Sequence, residues 1–154
     1  LEASRRSVRS DVDFVLTFEE LAGMFEAKEV DFSALEASDD LQYGTADGRG
    51  FAVGGGVAQA VVNYIKDKYP DREVKVASAQ GLADCKKMLM LAKAGKYNGY
   101  LLEGMGCPGG CIAGAGTLAD PARTATLLTK YKKDAPIQHS ADSDFKDYGK
   151  LLHD

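Results

Sequence analysis

The sequence predicts an α/β fold, a small parallel sheet flanked by helices, on two main observations. Short apolar runs of strand type alternate along the chain with longer segments whose apolar residues recur at helical spacing. The connections between them are mostly short and marked by Gly and Pro, the pattern of strands joined in parallel by helical crossovers. The 154 residues suffice for one domain, with 45% hydrophobic and 27% charged residues, an ordinary globular composition.

Asp11 to Thr17 (DVDFVLT) reads as a first strand, carried by Val12, Phe14, Val15 and Leu16. Thr17 and Glu20 then form a T-x-x-E capping box, so a helix should follow with Leu21, Met24 and Phe25 on one face. From Val30 to Gly50 an irregular exposed loop is expected, because Asp39-Asp40, Gly44, Asp47-Gly48 and Gly50 are turn formers. Such a long loop is either functional or held by another part of the protein. Gly54, Gly55 and Gly56 open a helix in which Val57, Ala60, Val61, Tyr64 and Ile65 share a face, and Pro70 stops it. Val74 and Val76 mark a second strand, and Leu82, Cys85, Met88 and Leu89 a helix that ends near Gly95. Tyr100-Leu101-Leu102 is a third strand, running straight into EGMGCPGGC. Asp120-Pro121 is an N-cap followed by Pro at the first helical position. Phe145, Tyr148 and Leu152 suggest a short closing helix. Three strands are few for such a sheet, so residues 1–154 read as one α/β domain that is incomplete.

The net charge of −4, with Lys and Arg scattered, argues against nucleic acid as a partner. No apolar run approaches the ~20 residues that cross a bilayer, so no membrane partner is expected. Leu1 to Ser10 is polar and basic, unlike a signal peptide, and the default compartment is the cytoplasm. The chain starts at Leu1 rather than Met, so it is expected to be a piece of a longer protein.

Three cysteines do not make a disulfide framework. Two of them, Cys107 and Cys111, lie within Glu103 to Thr117 (EGMGCPGGCIAGAGT), just after a strand, where parallel α/β sheets place functional loops. Gly109 and Gly110 let the backbone approach a bulky inorganic group and aim amide N–H donors at its sulfurs, while Pro108 stiffens the loop. From the residues alone, other readings stay open. The segment could be a plain glycine-rich turn with two incidental thiols. It could be a redox dithiol, although the usual C-x-x-C has one residue fewer between its cysteines. A zinc site fits less well, because His139 and His153 offer no ligand spacing with the cysteines. Cys85 falls on an apolar helical face and reads as core.

The segment resembles the third signature of iron-only (di-iron) hydrogenases, E-x-M-A-C-P-G-G-C followed by a Gly-rich run. Glu103, Met105, Cys107, Pro108, Gly109, Gly110 and Cys111 all match it. Phe51 to Val57 (FAVGGGV) is similar to the family's F-G-x-T-G-G-V at a helix start. DVDFVLTFEEL and VKVASAQGL resemble its strand-to-helix steps in order and approximate spacing. The resemblance implies one lobe of a two-lobed catalytic domain. It implies that Cys107 and Cys111 ligate a 4Fe–4S cubane, and that the Cys111 thiolate bridges to a di-iron subsite where protons and dihydrogen interconvert. Met105 and Phe51 would line the pocket around that subsite, and Gly54, Gly55 and Gly56 would let a helix start pack close to the cluster.

The chain also departs from the family. An earlier signature resembling T-S-C-C-P is absent, and Leu1-Glu2 could be only the tail of a second, M-P-C-x-A-K-K-x-E. Ala52 stands where the family has Gly, Gly54 where it has Thr, and Gly106 where it has Ala. Ala115 and Thr117 alter the tail, commonly G-G-G-Q-P. A cubane needs four protein ligands and the site offers two, so the isolated chain is expected to hold no cluster and to be inactive. Its implied partners are the upstream lobe of the same protein and a ferredoxin-like donor or accessory iron–sulfur domains. An exposed cluster-facing surface predicts self-association of the chain alone. The alternative function is a hydrogenase-like iron–sulfur protein of cluster assembly or redox sensing, without hydrogenase activity.

Overall fold

A computed structural model of the chain describes residues 13–38 and 44–147. The chain divides into two compact units, Leu1–Ala37 with Ala115–Leu118, and Ser38–Gly114 with Ala119–Asp154.

In the first unit, α1 (Phe18–Ala27) begins at the expected capping box. The Thr17 hydroxyl accepts the Glu20 N–H at 3.2 Å, and the Glu20 carboxylate accepts the Thr17 N–H at 2.7 Å. Two N–H groups that the first helical turn cannot pair internally are thereby satisfied. Leu21 and Phe25 are half-buried, whereas Met24 is exposed. Phe25 meets Phe32 edge-on, with ring centroids 5.2 Å apart. The strand expected over Asp11 to Thr17 does not form in its described part. Residues 13–17 carry no regular structure and join no ladder among the described residues, and Phe14, Val15 and Leu16 are exposed. An apolar run becomes a strand only when a ladder partner takes its N–H and C=O groups. Thr17→Ala is expected to weaken the start of α1 by about 1 kcal/mol, read as faster amide exchange over residues 18–22.

The second unit carries the sheet. β1 (Lys75–Gln80) and β2 (Tyr100–Met105) run parallel, in register from Lys75 opposite Tyr100 to Gln80 opposite Met105. These are the two strands among the described residues, one fewer than expected. The helices of this unit are α2 (Ala46–Arg49), α3 (Gly56–Lys68), α4 (Leu82–Lys93) and α5 (Pro121–Lys133), of which α3 and α4 pack on the strands and α2 packs on α3 and α5. Side chains alternate across a strand, so Ser78, Gln80, Glu103 and Met105 share one sheet face, and Ala77, Ala79, Leu102 and Gly104 the other. The first face carries α3, whose Val57 N–H bonds Glu103. The second carries α4, whose Cys85 sulfur lies 3.3 Å from where a Cβ on Gly104 would stand. That sulfur is also 3.5 Å from the carbonyls of Ala79 and Met105. Cys85 therefore packs between α4 and the sheet as a small core residue.

The expected loop over Val30 to Gly50 contains structure. Thr45 caps α2, and Asp47 is buried, accepting from the Asn63 amide at 2.6 Å and the Ser140 N–H at 3.0 Å. The polar Asp-Gly pair that signals a turn is used here as an internal anchor. At the other end of the chain, Phe145 lies in a turn, not a helix, and Tyr148 and Leu152 lie outside the described residues. Among the described residues the buried apolar ones are mostly small: Ala46, Ala58, Ala60, Val62 and Ala135, with Met88 beside them. No large side chain is fully buried among the described residues, and α4 leaves Leu82 78% and Met90 64% exposed. No helix among them is long and apolar enough to cross a membrane.

Candidate metal centre

The cysteine loop begins where β2 ends. Both strands stop at the same level, since the Gly81 N–H after β1 donates to the carbonyl of Met105 at 2.8 Å. The carboxyl ends of parallel strands are where α/β folds gather functional loops. Cys107-Pro108-Gly109-Gly110 folds as a β-turn closed by a Gly110 N–H to Cys107 carbonyl bond of 3.0 Å. Pro at the second position and a Gly with φ +87° at the third are the requirements of a type II turn. Gly110 has φ +88° and ψ −170°, a region that residues with a Cβ hardly reach. A single 3₁₀ turn, Cys111–Ala113, follows, bonded back from the Ala113 N–H to the Gly110 carbonyl at 3.1 Å.

Close packing fixes the turn against the glycine run before α3. A Cβ on Gly110 would stand 2.5 Å from the Ala52 carbonyl oxygen and 2.8 Å from the Gly54 nitrogen. One on Gly56 would collide with the Gly50 carbonyl. Phe51 to Gly56 and the cysteine turn, 50 or more residues apart in sequence, therefore meet backbone to backbone. Both thiols are free, Cys107 half-buried and Cys111 exposed. The Cys107 sulfur lies 3.4 Å from the place a Gly114 Cβ would take, so the small residue there leaves it room.

The structure thus brings together Cys107, Pro108, Gly109, Gly110, Cys111 and Gly54. Met105 and Phe51 line different cavities. Met105 helps to wall one of about 260 Å³ with Val57, Val61 and Glu103, and Phe51 one of about 250 Å³ with Ala60, Val61 and Tyr64. Phe51 remains 47% exposed.

Two residues were not singled out for a role from the sequence. Glu103 is buried and accepts the Val57 N–H and the Ser78 hydroxyl, each at 3.3 Å. Its carboxylate holds the start of α3 to the sheet, favourably placed at a helix N-terminus. The side-chain amide oxygen of Gln80 accepts the Gly109 N–H at 2.7 Å. Neither partnership leaves a local sequence signal, because the pairs are 46 and 29 residues apart.

As a donor set, two free thiols on a glycine turn suit a soft iron–sulfur centre. They supply half of the four thiolates that a cubane takes. No cluster of three or more His, Cys, Asp or Glu placed to hold a metal ion occurs among the described residues.

Comparison with known proteins agrees with this chemistry. The family described as iron only hydrogenase large subunit, C-terminal domain, matches residues 1–115. The chain is 31% identical over 135 residues to the NADP-reducing hydrogenase subunit HndD of Solidesulfovibrio fructosivorans, covering 69% of this chain and 23% of that protein. It is 31% identical over 153 residues to the periplasmic (Fe) hydrogenase large subunit of Nitratidesulfovibrio vulgaris, covering 77% of this chain and 36% of that protein. The chain therefore spans about a third or less of the length of these curated relatives.

Proposed function

Because the chain belongs to the family of C-terminal domains of iron-only hydrogenase large subunits, we propose that it is one lobe of the catalytic domain of a longer enzyme that interconverts protons and dihydrogen. The observation that carries this reading is the pair of free thiols, Cys107 and Cys111, on a glycine turn at the carboxyl end of β2. Cys107 and Cys111 would hold a 4Fe–4S cluster, with Cys111 also facing the di-iron subsite. Once bound, that assembly supplies the redox chemistry by which protons and electrons combine. Pro108, Gly109 and Gly110 hold the backbone in the tight turn that carries both cysteines. Gly54 meets that turn, and Gly54, Gly55 and Gly56 would together let α3 start close to the cluster. Met105 and Phe51, which line separate cavities in the chain alone, would shield the subsite from water once the upstream lobe closes the pocket.

The remaining ligands, and the rest of the pocket, would come from an upstream lobe of the same protein. The small buried core and the exposed apolar residues of α4 support such a partner. Electrons would arrive from a ferredoxin-like donor or accessory iron–sulfur domains, and the cytoplasm is the proposed compartment. The test is hydrogen evolution from a reduced viologen dye after oxygen-free reconstitution. The longer protein is expected to evolve hydrogen and the chain alone to be inactive and to self-associate. Hydrogen evolution by the chain alone would refute the two-lobe reading. A cluster-loaded longer protein without hydrogen chemistry would move it to the assembly or sensing proteins that share the site.

A further inference from the structure

We propose that Gln80 is a positioning residue for the cysteine turn, acting as a tether between β1, the glycine run and Gly109. Its role toward a cluster rests on the function proposed above; the tether itself does not. Gln80 is the last residue of β1, opposite Met105, and its side chain lies on the sheet face shared with Met105 and Glu103. From there its amide oxygen takes the Gly109 N–H at 2.7 Å. Gly109 is the third residue of the turn, midway along the chain between the two cysteines, so a bond there holds the position from which both thiols project. The amide nitrogen end of the same side chain occupies the space that a Cβ on Gly54 would need.

That last contact links two observations that are otherwise separate. Gly54 is a departure from the F-G-x-T-G-G-V pattern, and a Thr in its place would push aside the Gln80 amide, the movable end of an exposed side chain. Gly54 and Gln80 are therefore a coupled pair, in which loss of the side chain at one position makes room for the tether from the other. Gln80 is exposed, so water competes for the bond and its contribution is modest. Its effect is on geometry rather than on overall stability.

Three measurements test the proposal. In the full chain without metal, Gln80→Met removes the acceptor at similar length, and the Gly109 amide should exchange roughly threefold faster or more. Gln80→Glu retains an acceptor and should restore slow exchange; unchanged exchange in Gln80→Met would overturn the tether. Gly54→Thr should displace the Gln80 amide and speed Gly109 exchange as Gln80→Met does, with no further increase when the two are combined. Strict additivity of the two substitutions would overturn the coupling. In the longer protein, Gln80→Met should shift the cluster's reduction potential and electron paramagnetic resonance signal at unchanged iron content, with Gln80→Glu closer to the unsubstituted protein. Identical spectra and potentials at full occupancy would overturn the positioning role. A longer protein that binds no cluster at all would refute the function proposed above and the role toward the cluster, while the exchange result would still decide the tether.

Discussion

Gly110→Ala is expected to lower the stability of the full chain by about 2–4 kcal/mol, read from the midpoint of urea unfolding, and to displace the cysteine turn. Two independent effects add. At φ +88° and ψ −170° the backbone sits where essentially only Gly is at ease. The new Cβ would also stand 2.5 Å from the Ala52 carbonyl oxygen, a backbone atom that cannot swing aside like a flexible side chain. Relief requires the turn to lift away from residues 52–54, carrying Cys107 and Cys111 with it. Gly106→Ala, one residue before the first cysteine, is the control. Beyond its own chain neighbours no atom lies within 4 Å of its Cβ position, and its effect is expected to stay within about 0.5 kcal/mol. Equal effects of the two substitutions would contradict the packing of the turn on the glycine run.

Cys111→Ser in the longer protein is expected to lower hydrogen evolution by more than about a hundredfold, since even residues that only support a metal ligand are worth ten- to a hundredfold. Serine keeps the size of the side chain and removes the soft donor, so a loss of activity with retained folding points to the ligand and not to packing. Cys107→Ser should act in the same direction through loss of the cluster. Cys85→Ala, by contrast, removes a sulfur that packs between α4 and Gly104. It should cost about 1 kcal/mol of stability and leave the iron content unchanged. A Cys85 variant that lost iron as fully as the Cys111 variant would mean that the ligand assignment is wrong.

Much of this structure can be read from local sequence because local chemistry decides it. The start of α1 follows from Thr17 and Glu20, and that of α5 from Asp120 and Pro121; the Asp120 carboxylate accepts the Arg123 N–H at 2.8 Å as an N-cap should. The cysteine turn is legible for the same reason: donors, Pro and glycines lie within five consecutive residues. What is illegible depends on distant partners. The apolar run before Thr17 looks like a strand, but among the described residues it joins no ladder. Asp47 reads as a loop residue, and only Asn63 and Ser140, which cap its charge, make its burial tolerable. Gln80 looks like the polar end of a strand until Gly109 is folded onto it.

The central claim, that Cys107 and Cys111 supply part of an iron–sulfur site completed from upstream, is tested most directly by iron and acid-labile sulfide content after oxygen-free reconstitution. The expected result is no stoichiometric cluster on the monomeric chain, a full 4Fe–4S complement in the longer protein, and its loss when both cysteines are replaced by serine. A full 4Fe–4S cluster on the monomeric chain, or an iron content in the longer protein that survives removal of both cysteines, would contradict it.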